Sequence, residues 1–451
     1  MYNSTSKKNL LLKGTFILTL TGFLSRLIGF FYRIFLCRAF GEEGMGLYQL
    51  IFPIYALCYS FTVAGIETAL SRSVAEKVSL GKPQVAKQLL YGALGISILL
   101  SCLVTCFLQA NASVVATVIL GDIRCEPLLM AMSYSFPFAA IHSCICGYYF
   151  GFKQTGIPAS SQLIEQLLRV ATVYGLYLFA IHHSLKLNIT IAVLGLVFGE
   201  IASAAFCMQA FTAQRKKTDR EKNSFRTCFF QLKTLLPLSI PLTANRILLN
   251  LLQSVEAISI PARLQLYGLT SSEALSMYGV LTGMALPCIL FPSAITNSVS
   301  TMMLPTVAEI QAADHPLRLI ALIKKVTGCC FLLGTGCCLF FLFAGHFMGK
   351  VLFQSPLAGQ FIFILAFICP FQYTNSTLLS ILNGLGKTSS SFGITSIGLL
   401  LRILSVFFLI PMVGILGYLW GLLASQLVVS VLCLGSLKHH LVIRKPSSFY
   451  F

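Results

Sequence analysis

Apolar residues in this chain run for about twenty positions at a time, with few charges inside each run. Twelve such stretches can be read. Six lie near 14–37, 46–70, 89–109, 126–150, 157–181 and 189–212. Six more lie near 235–260, 277–302, 322–345, 358–382, 389–411 and 414–437. About twenty helical residues cross the hydrocarbon layer. Backbone groups inside lipid must be satisfied within the segment, so each stretch predicts a membrane-crossing helix. The first stretch is longer than a cleaved signal segment and is expected to stay as the first span. The expected fold class is all-α integral membrane, with about 12 transmembrane helices.

The polar intervals organise these spans. The stretch 213–232 is polar and basic, and it separates a six-span lobe at 1–212 from a second at 233–451. The halves resemble each other at an offset of about 233: Val74-Ala75-Glu76 falls on Val307-Ala308-Glu309, and Leu167-Leu168-Arg169 falls on Leu400-Leu401-Arg402. Lys153 lies near Lys387 at offset 234, and Tyr48 falls on Tyr278 at offset 230. Six is even, so both halves enter the membrane in the same direction. That arrangement predicts parallel repeats, whose substrate sites lie between the repeats near the midplane.

Composition sharpens the class. Hydrophobic residues make up 56% of the chain and charged residues 10%, against roughly 25% charged in an ordinary soluble domain. The formal charge of +18 could suggest nucleic acid, but its placement argues otherwise. With the N-terminus in the cytoplasm, 22 of the 32 Lys and Arg residues fall in cytoplasmic segments and five in external ones. That bias is the positive-inside pattern and predicts a multi-pass protein of the cell membrane with both termini cytoplasmic. The same charges can hold anionic membrane lipids, and no nucleic-acid partner is expected.

The 16 cysteines lie mostly inside apolar runs, as Cys329-Cys330 and Cys337-Cys338 do, and read as small hydrophobes. No pair has metal-ligand spacing along the sequence, so no metal or cofactor is expected. Gly384-Leu385-Gly386-Lys387 lacks the upstream half of a phosphate-binding loop. With no enzymatic motif, the chain is not expected to be an enzyme, and any energy must come from a gradient or a downstream reaction.

An ionisable side chain at the bilayer centre costs at least about 2.5–3.5 kcal/mol, so each one calls for a role. In the first span Ser25-Arg26-Leu27-Ile28-Gly29-Phe30-Phe31-Tyr32-Arg33 sets Arg26 and Arg33 seven residues apart, on one helix face about two turns from each other. Gly29 between them leaves the face open. Such a pair suits a phosphate or pyrophosphate, because each guanidinium donates a forked pair of hydrogen bonds. The plainer alternative is that they snorkel outward or pair with Glu67, Glu200 or Glu256. Arg33 is near enough to the outer end to snorkel, and Arg26 is not. Glu165 and Arg169, four apart in the fifth span, fit an internal ion pair. Arg402, the repeat counterpart of Arg169, has no acid four residues before it and is a candidate cavity group. Arg246 lies nearer the cytoplasmic end of the seventh span. Glu67, Glu200 and Glu256 each suit a coupling cation, a proton relay or neutralisation of an arginine. Asn297 joins them as a candidate polar group.

Two stretches resemble a known group. Ser25-Arg26-x-x-Gly29-Phe30-x-Tyr32-Arg33, followed by Phe40-Gly41-Glu42-Glu43-Gly44-x-Gly46-Leu47-Tyr48-Gln49, resembles the start of stage V sporulation protein B type polysaccharide exporters. Tyr278-Gly279-x-Leu281-x-Gly283-Met284-Ala285-x-Pro287, with Pro261-x-Arg263-Leu264-Gln265 before it, is similar to that family's eighth span region. The family belongs to the multidrug/oligosaccharidyl-lipid/polysaccharide exporter (MOP) superfamily, with the lipid II flippase MurJ and the MATE transporters. The resemblance implies a V-shaped two-lobe bundle working by alternating access. It implies a polyprenyl-pyrophosphate-linked saccharide, such as lipid II, moved from inner to outer leaflet. It also implies that Arg26 and Arg33 match the paired arginines of the first span that face the flippase cavity.

Two other readings compete. A cation-coupled multidrug antiporter of the same fold would use Glu256 or Glu67 as its working acid, with sodium or a proton as coupling ion. A non-transporting scaffold for envelope synthesis would need neither the repeat nor the intramembrane charges. The expected working form is a monomer.

Overall fold

The computed structural model describes residues 2–215, 225–313 and 316–443. Residues 216–224 of the basic linker at 213–232 lie outside them. The described residues form helices joined by short turns and loops, with no strand among them. Among the described residues, ten helices are long and apolar enough to cross a membrane, and a pair bent by 44° between Ile123–Ser133 and Ser135–Gly151 passes the same length and composition test when taken together. The first of the ten, Thr19–Ser79, is 61 residues long and covers both of the first two spans read from the sequence.

That merging has a local cause. α1 (Tyr2–Leu50) continues through the polar interval 38–45, which the sequence reads as a loop, with a single break at Gly41, where φ is 74°. A positive φ costs glycine little. α2 (Phe52–Tyr59) then follows, with Pro53 in its first turn, where proline's missing N–H removes no helical hydrogen bond. A π-helical turn over Ser60–Ala64 leads into α3 (Gly65–Ser79). The looser turn is braced from outside: Asn250 Nδ2 donates to Ser60 Oγ and, at 3.4 Å, to the Ala56 carbonyl.

α4 is Pro83–Val114, and the bent span is α5 (Glu126–Ser133) with α6 (Ser135–Gly151). The bend sits where Pro137 cannot donate to the Ser133 carbonyl four residues back. The Thr105 hydroxyl of α4 donates to that carbonyl instead, at 2.9 Å. α7 (Gly156–His182) and α8 (Thr190–Arg215) complete the first set, and α9 is Phe225–Leu266.

The second set begins with α10 (Ser271–Gly279), a π-helical turn over Val280–Ala285, α11 (Leu286–Leu290), a break at Phe291–Pro292, and α12 (Ser293–Ala312). α13 (Pro316–Leu352), α14 (Pro356–Leu365), α15 (Cys369–Gly384), α16 (Thr388–Leu404), α17 (Ile410–Val413) and α18 (Ile415–Ile443) follow.

The chain folds into two compact units. Among the described residues, the first holds those of 2–32 and 47–258, and the second those of 33–46 and 259–443. The first is centred on Leu70, Leu89, Leu90, Ile145 and Tyr149, all buried. The second is centred on Val307, Leu378, Ile381, Leu382 and Cys433. In the second unit a hydroxyl and amide network fills the interior: Asn375 Nδ2 donates to Gln426 Oε1 at 2.8 Å, and Ser430 donates to Asn375 Oδ1 at 2.6 Å.

The outer part of α1 belongs to the second unit because glycines let it lie against α10. A Cβ at Gly279 would strike the Glu42 carbonyl oxygen and the Gly46 backbone. Arg38 donates to the carbonyls of Val351 at 2.6 Å and Leu352 at 2.9 Å, a cation satisfying the exposed end of α13. Because backbone stands opposite Gly279, Gly279→Ala is expected to cost about 2 kcal/mol or more, as overpacking does. Gly95→Ala, with nothing within 4 Å of its Cβ, should leave stability unchanged. Thermal unfolding of both variants in detergent checks this.

Candidate functional site

Within the first unit, small residues set how closely α8 lies on α7. A Cβ at Gly199 would stand 2.9 Å from the Glu165 carbonyl oxygen, and one at Gly195 would stand 3.0 Å from that of Arg169. Small residues four apart let helix backbones approach. The approach carries Glu200, the next residue of α8, to the charged face of α7.

Four spans then meet in one polar cluster. Arg169 Nη2 donates to Glu165 Oε1. Glu200 is 6% exposed, and its Oε1 accepts from the Tyr55 hydroxyl of α2 at 3.2 Å. Its Oε2 faces His142 Nδ1 of α6 at 3.5 Å. His142 Nε2 lies 3.0 Å from Ser161 Oγ of α7. A nitrogen of His142 and an oxygen each of Glu165 and Glu200 lie within 4.8 Å of one another. Two carboxylates thus face one guanidinium and one imidazole, so the charges close when His142 is protonated. Tyr59, one turn from Tyr55, shares a 2.7 Å hydrogen bond with Ser143.

Arg26 stands apart from this cluster. It is exposed on α1 and has no hydrogen-bond or ion-pair partner among the described residues. Gly22 and Gly29, four before and three after it, share its helix face, and nothing lies within 4 Å of where their Cβ atoms would be. A guanidinium on an open face inside an apolar span has its whole donor fork free for an anion.

The remaining candidate residues scatter. Arg246 Nη2 donates to Thr68 Oγ1 at 3.3 Å, one residue along from Glu67. Glu67 accepts no hydrogen bond among the described residues. Glu256 is buried in α9. Arg33, on the part of α1 assigned to the second unit, and Arg402, in the last turn of α16, are each half-buried. Asn297 is half-buried in α12. So the structure brings Glu165, Arg169 and Glu200 together, and adds Tyr55, His142 and Ser161, which reading the sequence missed. The one local signal among the missed residues was His142 with Cys146, four apart on α6.

The family model described as "Polysaccharide biosynthesis protein" matches residues 11–311. The chain belongs to that family. It is 30% identical over 440 residues to stage V sporulation protein B of Bacillus subtilis (strain 168), covering 94% of this chain and 83% of that protein. Two solved structures share the fold, and both are too distant in sequence to speak for more than the fold. The lipid II flippase MurJ in an inward closed conformation superposes with a TM-score of 0.72 at 14% identity, covering 94% of this chain and 87% of that one. An inward-facing multidrug resistance MATE transporter of the MOP superfamily superposes at 0.70 with 13% identity, covering 94% and 96%. This family member is therefore a multi-pass membrane protein with the helical architecture of the MOP superfamily.

Proposed function

We propose that the protein is a membrane flippase for a polyprenyl-pyrophosphate-linked saccharide, and that Arg26 binds the pyrophosphate. Family membership and the likeness to MOP structures support a flippase or transporter. The observation that carries the finer reading is the contrast between two intramembrane arginines. Arg169 is neutralised by Glu165, whereas Arg26 is exposed with no partner among the described residues. A bare guanidinium in lipid is costly, and an anionic headgroup passing along that face repays the cost. Lipid II, with a pyrophosphate and a long apolar tail, has the matching chemistry. The charge bias of the loops supports cytoplasmic termini and loading from the inner leaflet.

The test is reconstitution in vesicles with labelled lipid II and an outer-leaflet quencher. Protein-dependent exposure of the label is expected. No exposure, combined with expulsion of lipophilic cations from the same vesicles, would replace this reading with a multidrug antiporter. Such an antiporter would draw on the buried acids of the first unit.

A further inference from the structure

His142 has a second set of neighbours besides Glu200. Cys146 follows it by one turn of α6, and Cys207 comes from α8. The two sulfurs lie 4.0 Å apart. A nitrogen of His142 and both sulfurs fall within 4.8 Å of one another. Ser161 Oγ sits among them, 3.0 Å from His142 Nε2 and 3.6 Å from Cys146 Sγ. Both cysteines are buried and neither is in a disulfide.

We propose that His142, Cys146 and Cys207 form a binding site for a soft divalent cation of the zinc class, with Ser161 Oγ or a water in the fourth position. Three observations converge on it. The first is geometry. Tetrahedral zinc with bonds of about 2.3 Å to sulfur holds two sulfurs about 3.8 Å apart, close to the 4.0 Å found here. The second is the surrounding shell. Metal-bound histidines usually donate their other ring N–H to a carboxylate. Here His142 Nδ1 faces Glu200, whose other oxygen is held by Tyr55. With Nδ1 facing the carboxylate, Nε2, 3.0 Å from Ser161 Oγ, is the ring atom left to ligate. The third is charge. Binding a divalent cation releases the two thiol protons and the His142 ring proton that the metal displaces, three protons passing to water, so it adds no positive charge to the site. Sodium, calcium or magnesium would add charge and would meet sulfur and nitrogen where they prefer oxygen.

The position also permits loading. Cys146 lies five residues before the end of α6, and Ser161 lies five after the start of α7. The site is thus about one turn from the polar turn 152–155 that joins them. The ligands come from α6 and α8, with Ser161 from α7, so the metal ties three spans of the first unit together. This inference does not depend on the transport reading.

Cobalt(II) is the probe, added to the full chain purified in detergent under reducing conditions. Thiolate-to-cobalt absorption at one equivalent, displaced by zinc, is expected for the wild type. It should be lost in Cys207→Ser and weakened in His142→Gln. Cys433→Ser, a buried cysteine of the second unit, should keep it. Absence of the band in folded wild type, or its persistence in Cys207→Ser, overturns the proposal. A second measurement needs no variant. With free zinc at about a hundred times its Kd, opening-limited alkylation of Cys146 and Cys207 should slow about a hundredfold. Alkylation of Cys433 should not change, and equal rates with and without zinc at Cys146 and Cys207 overturn the site.

Discussion

Arg26→Ala is expected to reduce lipid II exposure roughly ten- to hundredfold, the worth of a charged hydrogen-bond partner at about 1.5–3 kcal/mol. The loss should come without loss of stability, because Arg26 has no partner among the described residues to abandon. Arg26→Lys should fall between wild type and Ala, since an ammonium keeps the charge but lacks the planar fork that grips a phosphate. Initial rates in the quencher assay, read beside thermal unfolding of the same samples, separate the two effects. Wild-type exposure rates in Arg26→Ala would remove this residue from the binding site.

Arg169→Met should do the opposite: a large loss of stability that precedes any question of transport. The guanidinium lies against Glu165, with side-chain exposures of 17% and 14%, and Glu200 is close by. Removing it leaves two carboxylates facing each other in a dry interior. Breaking one side of a buried ion pair typically costs about 3–5 kcal/mol. The double variant Glu165→Gln/Arg169→Met restores the charge balance and should recover most of the loss, because a buried pair replaced by neutral groups is often nearly neutral in energy. Unfolding temperatures in detergent test this. An Arg169→Met protein as stable as wild type would mean that the pair contributes nothing to the fold.

The two arginines also mark what a sequence can disclose about such a protein. Helices in lipid must satisfy their own backbone, so hydropathy alone finds the spans. It places ends poorly: the third span, read near 89–109, belongs to a helical stretch of Pro83–Ile119. The polar interval 38–45 looks like a loop, yet it is helical on both sides of Gly41, because α10 supplies a surface for it to pack on. The Glu165–Arg169 spacing is local and can be seen in one turn of helix. The contacts of Glu200 with Tyr55 and His142 cross 145 and 58 positions, and no periodicity links residues that far apart. The cysteines illustrate the same limit. Cys146 and Cys207 are 61 residues apart and sit in apolar runs, so in sequence they look like packing residues, and only the crossing of α6 and α8 sets them beside an imidazole.

The break at Phe291–Pro292 bears on how the two halves diverged. Between Tyr278 and Val307 the chain is three residues longer than between Tyr48 and Val74, and the break lies inside that longer interval. Three extra helical residues turn the chain by about 300° and lengthen it by about 4.5 Å. The turn is only about 60° short of a full revolution, so the Val-Ala-Glu triplet is shifted by about a sixth of a turn. A proline that already interrupts the hydrogen-bond ladder gives the chain a place to absorb that residual twist and length. Insertions near a whole turn, placed at a proline, are thus changes a duplicated membrane helix can accept while its lipid-facing and protein-facing sides keep their identities.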